Sequence, residues 1–354
     1  MSALTEYLAR AVEAGASDLF LIPGSPLSCK LEGKLMPLAQ ERLMPDETDV
    51  LISEIFSLAG RDMLPFRQSG DDDFSFAVPG LARFRVNTYR QRGSLAAVIR
   101  VVAFSVPDWE KLRIPAQVME LSRLSSGMVL FTGTAGCGKS TTQACLVDRI
   151  NHRRACHIIT LEDPIEYLHR NRMSIVSQRE IALDTCDYPS ALRACLRQAP
   201  DVIQLGEMRD LETIRTAMTA AETGHLLLAT LHTRGAVNTI DRIIDTFPGA
   251  QQEQIRQQVA ASLEAVVSQR LLKRVGGGRV AAFEVMSVNS GIRNLIREAK
   301  TFQIDNIIQT TASEGNMLIE TSLYDLVSRN MITREDALKT AFRPGQMSRM
   351  LGGA

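Results

Sequence analysis

The segment GTAGCGKS at residues 133–140 constrains the fold of this chain more than any other feature. It matches the phosphate-loop pattern G-x-x-x-x-G-K-[ST], and it stands between an apolar run that predicts a strand and a pattern that predicts a helix. The glycines let the backbone form a nest of inward-pointing N–H groups, and the helix N-terminus adds partial positive charge. The sequence therefore predicts a P-loop domain of the α/β class.

Each residue of this loop has an expected part in nucleotide binding. Lys139 is expected to reach the β- and γ-phosphates, Ser140 to ligate Mg²⁺, and Thr141 to be a further phosphate or base contact. The predicted nucleotide-binding residues of the loop are Gly133, Thr134, Ala135, Gly136, Cys137, Gly138, Lys139, Ser140 and Thr141. The loop does not name the reaction, because kinases, GTPases and ATP-driven motors share it. The base-reading N-K-x-D pattern of GTPases does not occur in the sequence.

The pattern of apolar and polar residues changes along the chain. The first hundred residues alternate helix-like and strand-like patterns, which predicts a small α+β unit with a mixed or antiparallel sheet. Residues 104–115 contain two prolines and the only tryptophan, and they are predicted to form a linker. From about residue 128, short apolar runs alternate with helical patterns, as in a parallel sheet built from βαβ units. After about residue 250 the pattern is mostly helical, and residues 251–272 are predicted to be helix. The predicted domains are 1–103 and 116–354.

A first acidic cluster follows a β-branched run in IITLEDPIEY, residues 158–167. Glu162, Asp163 and Glu166 surround one proline there. The strand could simply turn into solvent, or it could deliver acids to the rim of a sheet where chemistry occurs.

A second predicted strand, VIQLGEMRD at residues 202–210, ends at Glu207. In P-loop proteins an acid at the end of a neighbouring strand supports Mg²⁺ or its water. The structural alternative is an ion pair between Glu207 and Arg209. The phosphate loop upstream favours the functional interpretation.

His225 and His232 bracket an apolar run and are predicted to stand at the two ends of one strand. Two histidines at this spacing are weak evidence for zinc. A single histidine is usually structural, but His232 at the strand end could sense the γ-phosphate.

The composition limits the partners and the compartment. Lys plus Arg is 40 and Asp plus Glu is 40, so no nucleic-acid partner is expected. The six cysteines contain no C-x-x-C pair, and neither a secretion signal nor an 18-residue apolar run occurs. These observations favour the reducing cytoplasm, where the cysteines stay thiols.

The motifs in this order resemble those of secretion-superfamily ATPases of the type IV pilus retraction (PilT-like) class. The segments that match its Walker A motif, aspartate box, Walker B motif and histidine box are GTAGCGKST, LEDPIEY, GEMRDLETI and TGHLLLATLHT. GASDLFL and RFRVNTYRQRG match the N-terminal domain, and GIRNLIRE at 291–298 resembles a C-terminal motif of retraction ATPases. The resemblance covers nearly the whole chain.

The resemblance implies a fold and a set of site residues. It implies a PAS-like α+β N-terminal domain followed by a RecA-like P-loop ATPase domain with a helical C-terminal part. Glu166 would be the general base that activates water, and Glu207 the Walker B acid. Glu162 and Asp163 would order Mg²⁺ waters or the loop. The further nucleotide contacts and phosphate-directed cations implied are Arg85, Arg100, Arg193, Arg197, His225 and His232.

The implied function is a homohexameric ATPase motor that uses ATP and Mg²⁺ to power type IV pilus retraction and twitching motility. Its implied partners are an inner-membrane pilus platform protein and a paralogous pilus ATPase, at the cytoplasmic face of the inner membrane. Two alternatives stay open. A pilus extension or type II secretion ATPase usually carries a C-x-x-C metal subdomain, and a conjugation-type or DNA-translocating ring would show basic, aromatic pore loops.

The chain departs from the family pattern at three positions. Ala135 replaces a common proline, and Phe20 replaces a typical histidine, as in accessory retraction ATPases. Cys137 stands where the family usually has Ser or Thr, and the anion-binding nest is expected to lower the pKa of its thiol.

Overall fold

The structure, a computed structural model, describes residues 2–31, 33–102 and 106–352. The described residues divide into two compact units. The first contains those of Met1–Ser105 and Pro164–Leu168, and the second contains those of Val106–Asp163 and His169–Ala354.

The first unit is an antiparallel sheet with three helices. Its helices are α1 (Ala3–Glu13), α2 (Pro45–Ala59) and α3 (Leu64–Ser69). Its strands are β1 (Asp18–Leu21), β2 (Pro26–Leu31), β3 (Lys34–Arg42), β4 (Asp71–Val78), β5 (Ala82–Gln91) and β6 (Ser94–Val102). Among the described residues these six strands form one sheet in the order β3-β2-β1-β6-β5-β4. Every neighbouring pair is antiparallel, which settles the mixed-or-antiparallel prediction.

The sequence of this unit explains its elements. Phe84, Val86 and Thr88 alternate with more exposed residues along β5 and are buried, as the period of two predicts. Helix α2 begins at Pro45, whose missing N–H is not needed there, and it ends before Gly60 in the left-handed region (φ +62°).

The second unit is a mostly parallel sheet between helices. Its strands are β7 (Gly127–Thr132), β8 (His157–Glu162), β9 (Ile175–Glu180), β10 (Val202–Leu205), β11 (Leu226–Leu231), β12 (Leu263–Lys273) and β13 (Arg279–Ser287). In the described part of the chain they form a seven-stranded sheet ordered β13-β12-β7-β11-β10-β8-β9. All neighbours are parallel except β12 and β13.

Helices cover both faces of this sheet. They are α4 (Ala116–Glu120), α5 (Lys139–Arg153), α6 (Tyr188–Cys195), α7 (Leu211–Glu222), α8 (Ala236–Asp245), α9 (Gly249–Ser262), α10 (Ser290–Arg297), α11 (Ile304–Thr310), α12 (Ile319–Ser328), α13 (Arg334–Thr340) and α14 (Pro344–Met350). Met128 and Leu130 of β7 pack in the core with α6 to α9, whereas Val129 and Phe131 pack in the core with α5. Burial on both faces explains why β7 and β11 read as continuous apolar runs.

The described part of the segment predicted as a linker, residues 106–115, belongs to the second unit. Residues 103–105 lie outside the described residues. Val106 and Trp109 pack against the core that contains α5, and Ile114 is buried in it.

One prediction of secondary structure is wrong. Residues 251–272 were expected to be one helix, but the helix ends at Ser262 and β12 begins at Leu263. The strand forms because β7 and β13 pair with it on either side, and Ala265, Val266 and Val267 are buried there. Tertiary pairing overrides the helical pattern at this place.

Candidate active site

The phosphate loop connects β7 to α5 and depends on three glycines in the left-handed region. Their φ angles are +141° at Gly133, +72° at Gly136 and +94° at Gly138. A Cβ on Gly133 would clash with the backbone oxygen of Gln269, and one on Gly138 would lie 2.8 Å from the Gln269 Nε2 atom. Only glycine fits both the conformation and the space at these two positions.

Gln269 of β12 supports the loop and was missed by the sequence analysis. Its Oε1 atom accepts a hydrogen bond from the Thr142 hydroxyl at 2.8 Å, and both residues are buried. The contact joins β12 to the first turn of α5, where the loop ends. No local signal reveals it, because Gln269 lies in a segment that reads as helix.

The loop itself holds the Lys139 side chain in place. Its Nζ atom donates to the backbone oxygens of Gly133 at 2.9 Å and Thr134 at 3.2 Å. The crest of the loop, residues 134–136, is exposed. A buried ammonium beneath an exposed nest of backbone amides is suited to an anionic ligand.

The prediction for the Cys137 thiol is wrong in direction. Burial raises its pKa, and the Lys139 charge only partly opposes this. The Sγ atom lies in the closely packed floor of the loop, 2.6 Å from the position that a Cβ on Gly133 would take. A thiol that is desolvated in this way does not gain the reactivity of an exposed thiolate.

A cavity of about 720 Å³ opens beside the crest of the loop. Arg234, Arg270 and Phe342 line it together with Thr134. The Arg270 guanidinium lies 5.5 Å from the centroid of the Phe342 ring, and burial followed by the Arg234 charge lowers the pKa of Arg270. The C-terminal helices therefore help to form the wall beside the loop.

The strand ends that carry the predicted acids share one edge of the sheet with the loop. Leu231 of β11 pairs with Thr132 of β7, and Leu205 of β10 pairs with Ala229 of β11 and Leu161 of β8. Because these strands are parallel, the residues that follow them project from the same edge. Glu162, Asp163, Glu207 and His232 all lie there.

Glu207 stands between two cationic or potentially cationic side chains. Its Oε1 atom is 2.6 Å from the Arg209 Nε atom, and its Oε2 atom is 3.4 Å from the His232 Nε2 atom. The Glu207 side chain is only 12% exposed. The ion pair with Arg209, the structural alternative, is present, and His232 joins the same carboxylate.

Glu162 is buried and accepts hydrogen bonds from neutral donors. The Thr160 hydroxyl donates to its Oε1 atom at 2.6 Å, and the Gln178 Nε2 atom donates to the same oxygen at 3.0 Å. Asp163, the next residue, is exposed.

Tyr188, at the start of α6, is a second residue that the sequence analysis missed. A Cβ on Gly206 would clash with its hydroxyl, so the glycine before Glu207 makes room for the phenol. Burial raises the pKa of Tyr188, and the charges of Asp163, Glu207 and Glu162 raise it further, in that order. The phenol therefore stays protonated, and it lies within the field of all three carboxylates.

Glu166 is exposed and lies in Pro164–Leu168, the segment that groups with the first unit. Its role as general base stays a prediction.

Arg85 and Arg100 lie side by side on β5 and β6, where they are register partners. Arg85 forms two hydrogen bonds with Asp73, at 2.6 and 3.0 Å, and the Arg100 Nε atom lies 2.9 Å from an oxygen of Asp18. Their predicted action on phosphate stays a prediction.

The nucleotide contacts predicted for Arg193, Arg197 and His225 stay predictions. Arg193 of α6 pairs with Glu212, and Arg197 is exposed. His225 precedes β11 and His232 follows it, so the two lie at opposite edges of the sheet, as predicted. The His225 ring contacts the backbone oxygen of Ala220 at 3.0 Å, and a nucleotide contact for it stays a prediction.

Comparisons with known proteins match this arrangement. A family model described as Type II/IV secretion system protein matches residues 1–277. The chain belongs to this family.

Members and solved structures of the secretion-system family resemble the chain over nearly its full length. It is 43% identical to the type IV pilus retraction ATPase PilT of Pseudomonas aeruginosa over 341 residues, 96% of this chain and 98% of that protein. It is 41% identical to a twitching motility protein of Neisseria gonorrhoeae, over 90% of this chain and 85% of that protein. A crystal structure of the pilus retraction motor PilT with bound ADP superposes with a TM-score of 0.90 at 44% identity, covering 99% of both chains.

As a member of this family, the chain has an N-terminal domain and a RecA-like ATPase domain, and it is an ATP-hydrolysing enzyme. No group of three or more His, Cys, Asp or Glu residues that could hold a metal occurs in the part of the chain that the structure describes. The Ser140 hydroxyl and the Glu207 carboxylate are the hard oxygen donors that Mg²⁺ prefers beside phosphate oxygens, so the site fits that ion. Within residues 2–31, 33–102 and 106–352, no helix is long and apolar enough to span a membrane.

Proposed function

We propose that this chain is an ATP-driven motor that powers retraction of a type IV pilus. The observation that carries the proposal is the joint placement of the phosphate loop, Glu207 and His232 at one sheet edge, in a chain 43% identical to PilT over 96% of its length. A fold match alone would support less, because the same fold serves several tasks.

The chemistry follows from the site residues. The loop amides and Lys139 bind the β- and γ-phosphates of ATP. Ser140 and Glu207 would hold Mg²⁺, which would supply positive charge beside the phosphate oxygens. Asp163 and Glu162 order the loop at the same edge of the sheet, or the water molecules of the Mg²⁺ ion. Glu166 takes a proton from the attacking water, as a carboxylate general base.

The working form in this proposal is a homohexameric ring. Arg85 and Arg100 reach phosphate oxygens of a nucleotide, since a guanidinium keeps its charge and forks onto paired oxygens. Their bonds to Asp73 and Asp18 would be exchanged for phosphate contacts during the cycle. Arg193, Arg197 and His225 contribute further contacts in this arrangement.

The motor acts at the cytoplasmic face of the inner membrane, against a pilus platform protein. A paralogous pilus ATPase is a second proposed partner, and the chain is 37% identical to the type IV pilus ATPase PilU of Pseudomonas aeruginosa.

Two substitutions test the hydrolytic site. Lys139→Ala and Glu166→Ala should each lower ATP turnover by about 100-fold or more, because each removes a group needed in the transition state. Phosphate release measures turnover, and light scattering checks that the ring still assembles. The exposed residues Lys111 and Glu41 provide matched controls as Lys111→Ala and Glu41→Ala. Wild-type turnover in Glu166→Ala would contradict the assignment of the base.

Deletion of the gene tests the direction of the motor. Long pili that do not retract would support retraction. Cells without pili would instead indicate an extension ATPase, and intact pilus dynamics with lost DNA transfer would indicate a translocase.

A further inference from the structure

Gln178 lies on the edge strand β9 and contacts both ends of the segment that carries Glu166. Its Oε1 atom accepts a hydrogen bond from the backbone N–H of His169 at 2.8 Å. Its Nε2 atom donates to the Glu162 Oε1 atom at 3.0 Å. Glu162 ends β8, and His169 is the residue after Leu168. The two residues flank the segment 163–168, and we call them its roots: Glu162 is the near root and His169 the far root. One amide group therefore bridges the two roots.

The register of the sheet explains why Gln178 reaches both roots. Gln178 pairs with Thr160 across β8 and β9, and Glu180 pairs with Glu162. Residues two apart share a face of a sheet, so Thr160, Glu162 and Gln178 lie on the same face. The Thr160 hydroxyl donates to the same oxygen of Glu162 at 2.6 Å, which fixes that carboxylate from a second side.

The residue at the far root is half-buried. Burial lowers the pKa of the His169 ring to about 4, so the ring stays neutral at physiological pH. The near root is anchored by the buried carboxylate of Glu162. Each root is therefore fixed in the second unit, and the residues between them include Pro164, which limits the backbone further.

A glutamine is the side chain that this position requires. The His169 N–H needs an acceptor and the Glu162 carboxylate needs a donor, and one amide group supplies both at once. These two partners also determine which way the amide points. A glutamate would lack the donor, and an aliphatic residue would lack both.

We propose that Gln178 is a positioning residue for Glu166: it ties the two roots of residues 163–168 and so holds the general base in its reactive orientation. The inference rests on the role of Glu166 in the proposed function. Gln178 is placed to act on turnover and not on nucleotide affinity, because Lys139 and the loop amides form the phosphate site.

A double-mutant cycle tests the inference on the full-length assembled protein. Gln178→Ala should lower kcat by about 10-fold or more with KM for ATP changed less than about twofold, since small displacements of a catalytic group are costly. In the Glu166→Ala background, Gln178→Ala should lower the residual single-turnover rate by less than about twofold, because the group it positions is absent.

A pH profile provides a readout that a purely structural role would not move. In Gln178→Glu, two carboxylates face each other and can share one proton as the pH falls. The protonated pair again offers a donor and an acceptor. The deficit in turnover relative to the wild type should therefore shrink by about threefold or more between pH 8 and pH 6, whereas the deficit of Gln178→Ala should not change with pH.

Ser177 supplies the matched control, since it precedes Gln178 on the same strand. Its hydroxyl bonds the His157 Nε2 atom at 2.9 Å, at the other end of β8. Ser177→Ala should leave turnover within about twofold of the wild type, because small losses are usual for a single neutral hydrogen bond away from the chemistry.

Three results would overturn the inference: wild-type kcat in Gln178→Ala, an equal loss in the presence and absence of Glu166, or a loss explained by KM alone. Wild-type turnover in Glu166→Ala is a separate outcome. It would show that the proposed base is wrong, and the inference would fall with it.

Discussion

Two glutamates at the ends of neighbouring strands contact different kinds of side chain. Glu162 ends β8 and accepts hydrogen bonds from the neutral side chains of Thr160 and Gln178. Glu207, just beyond β10, is paired with Arg209 and faces His232. These two contacts of Glu162 are with uncharged groups, whereas Glu207 contacts a guanidinium and an imidazole. Similar placement in a sheet therefore does not mean similar surroundings.

The comparison predicts different effects when each of these glutamates is replaced by glutamine. Glutamine keeps the size and one acceptor oxygen of glutamate but loses its charge. It should preserve most of what Glu162 does and little of what Glu207 does.

The largest effect is expected for Glu207→Gln. Turnover should fall by about 100-fold, or roughly 2.7 kcal/mol in the activation barrier, because Arg209, and Mg²⁺ in the proposed function, would lose an anionic partner. Steady-state phosphate release measures turnover, and equilibrium binding of a labelled nucleotide checks that affinity is retained. More than a tenth of wild-type turnover would contradict the charge-based role.

Glu284 of β13 extends the comparison to a carboxylate in the interior. Burial raises its pKa to about 7, and the charges of Asp305 and Glu320 add to the effect. The N–H of Ala236, 2.8 Å from its Oε1 atom, and Arg343, 3.8 Å from its Oε2 atom, oppose the shift. The ordinary pKa of a glutamate is about 4.3. The folded state therefore binds the extra proton between about pH 4.5 and pH 7, and the free energy of unfolding falls as the pH rises through that window.

The second prediction follows from this sign. Glu284→Gln should raise the free energy of unfolding by roughly 2 kcal/mol at pH 8 and leave it nearly unchanged at pH 5, because the amide carries no charge to bury. Urea unfolding at a series of pH values measures the change. The exposed residue Glu335, as Glu335→Gln, is the control. If the free energies of unfolding of Glu284→Gln and the wild type changed in parallel with pH, the prediction would be contradicted.

The smallest effect is expected for Glu162→Gln. The amide oxygen can still accept from Thr160 and Gln178, so turnover should fall by only about fivefold, or roughly 1 kcal/mol. The same phosphate-release measurement applies, with both variants side by side. A loss of turnover as large as that of Glu207→Gln would show that the charge of Glu162 is also required. The two strand ends would then not differ in this respect.

Features that depend on neighbours in the sequence were predictable. The phosphate loop combines glycines, a lysine and a helix start within eight residues, and the acids follow apolar runs directly. The strand that contains Phe84 and Val86 was visible from the alternation of its residues.

Features that depend on distant residues were not predictable. Gln269 contacts Thr142, which lies 127 residues earlier in the first turn of α5, and Tyr188 meets Gly206 only because α6 packs against the sheet edge. The strand β12 looked helical because its partners β7 and β13, which stabilise it, come from other parts of the chain. The Cys137 thiol was misjudged because its burial, which is not visible in a motif, outweighs the neighbouring positive charge.

The support that β12 gives to the loop limits how the chain can change in length. The pairing of β12 with β7 shifts register between Leu263 and Ala265, where the strand already absorbs an irregularity. Since side chains alternate along a strand, deletion or insertion of one residue there would turn Gln269 away and present Ser268 or Arg270 to the glycines. An in-frame insertion or deletion of a single codon at this junction would therefore alter the nucleotide pocket from outside it.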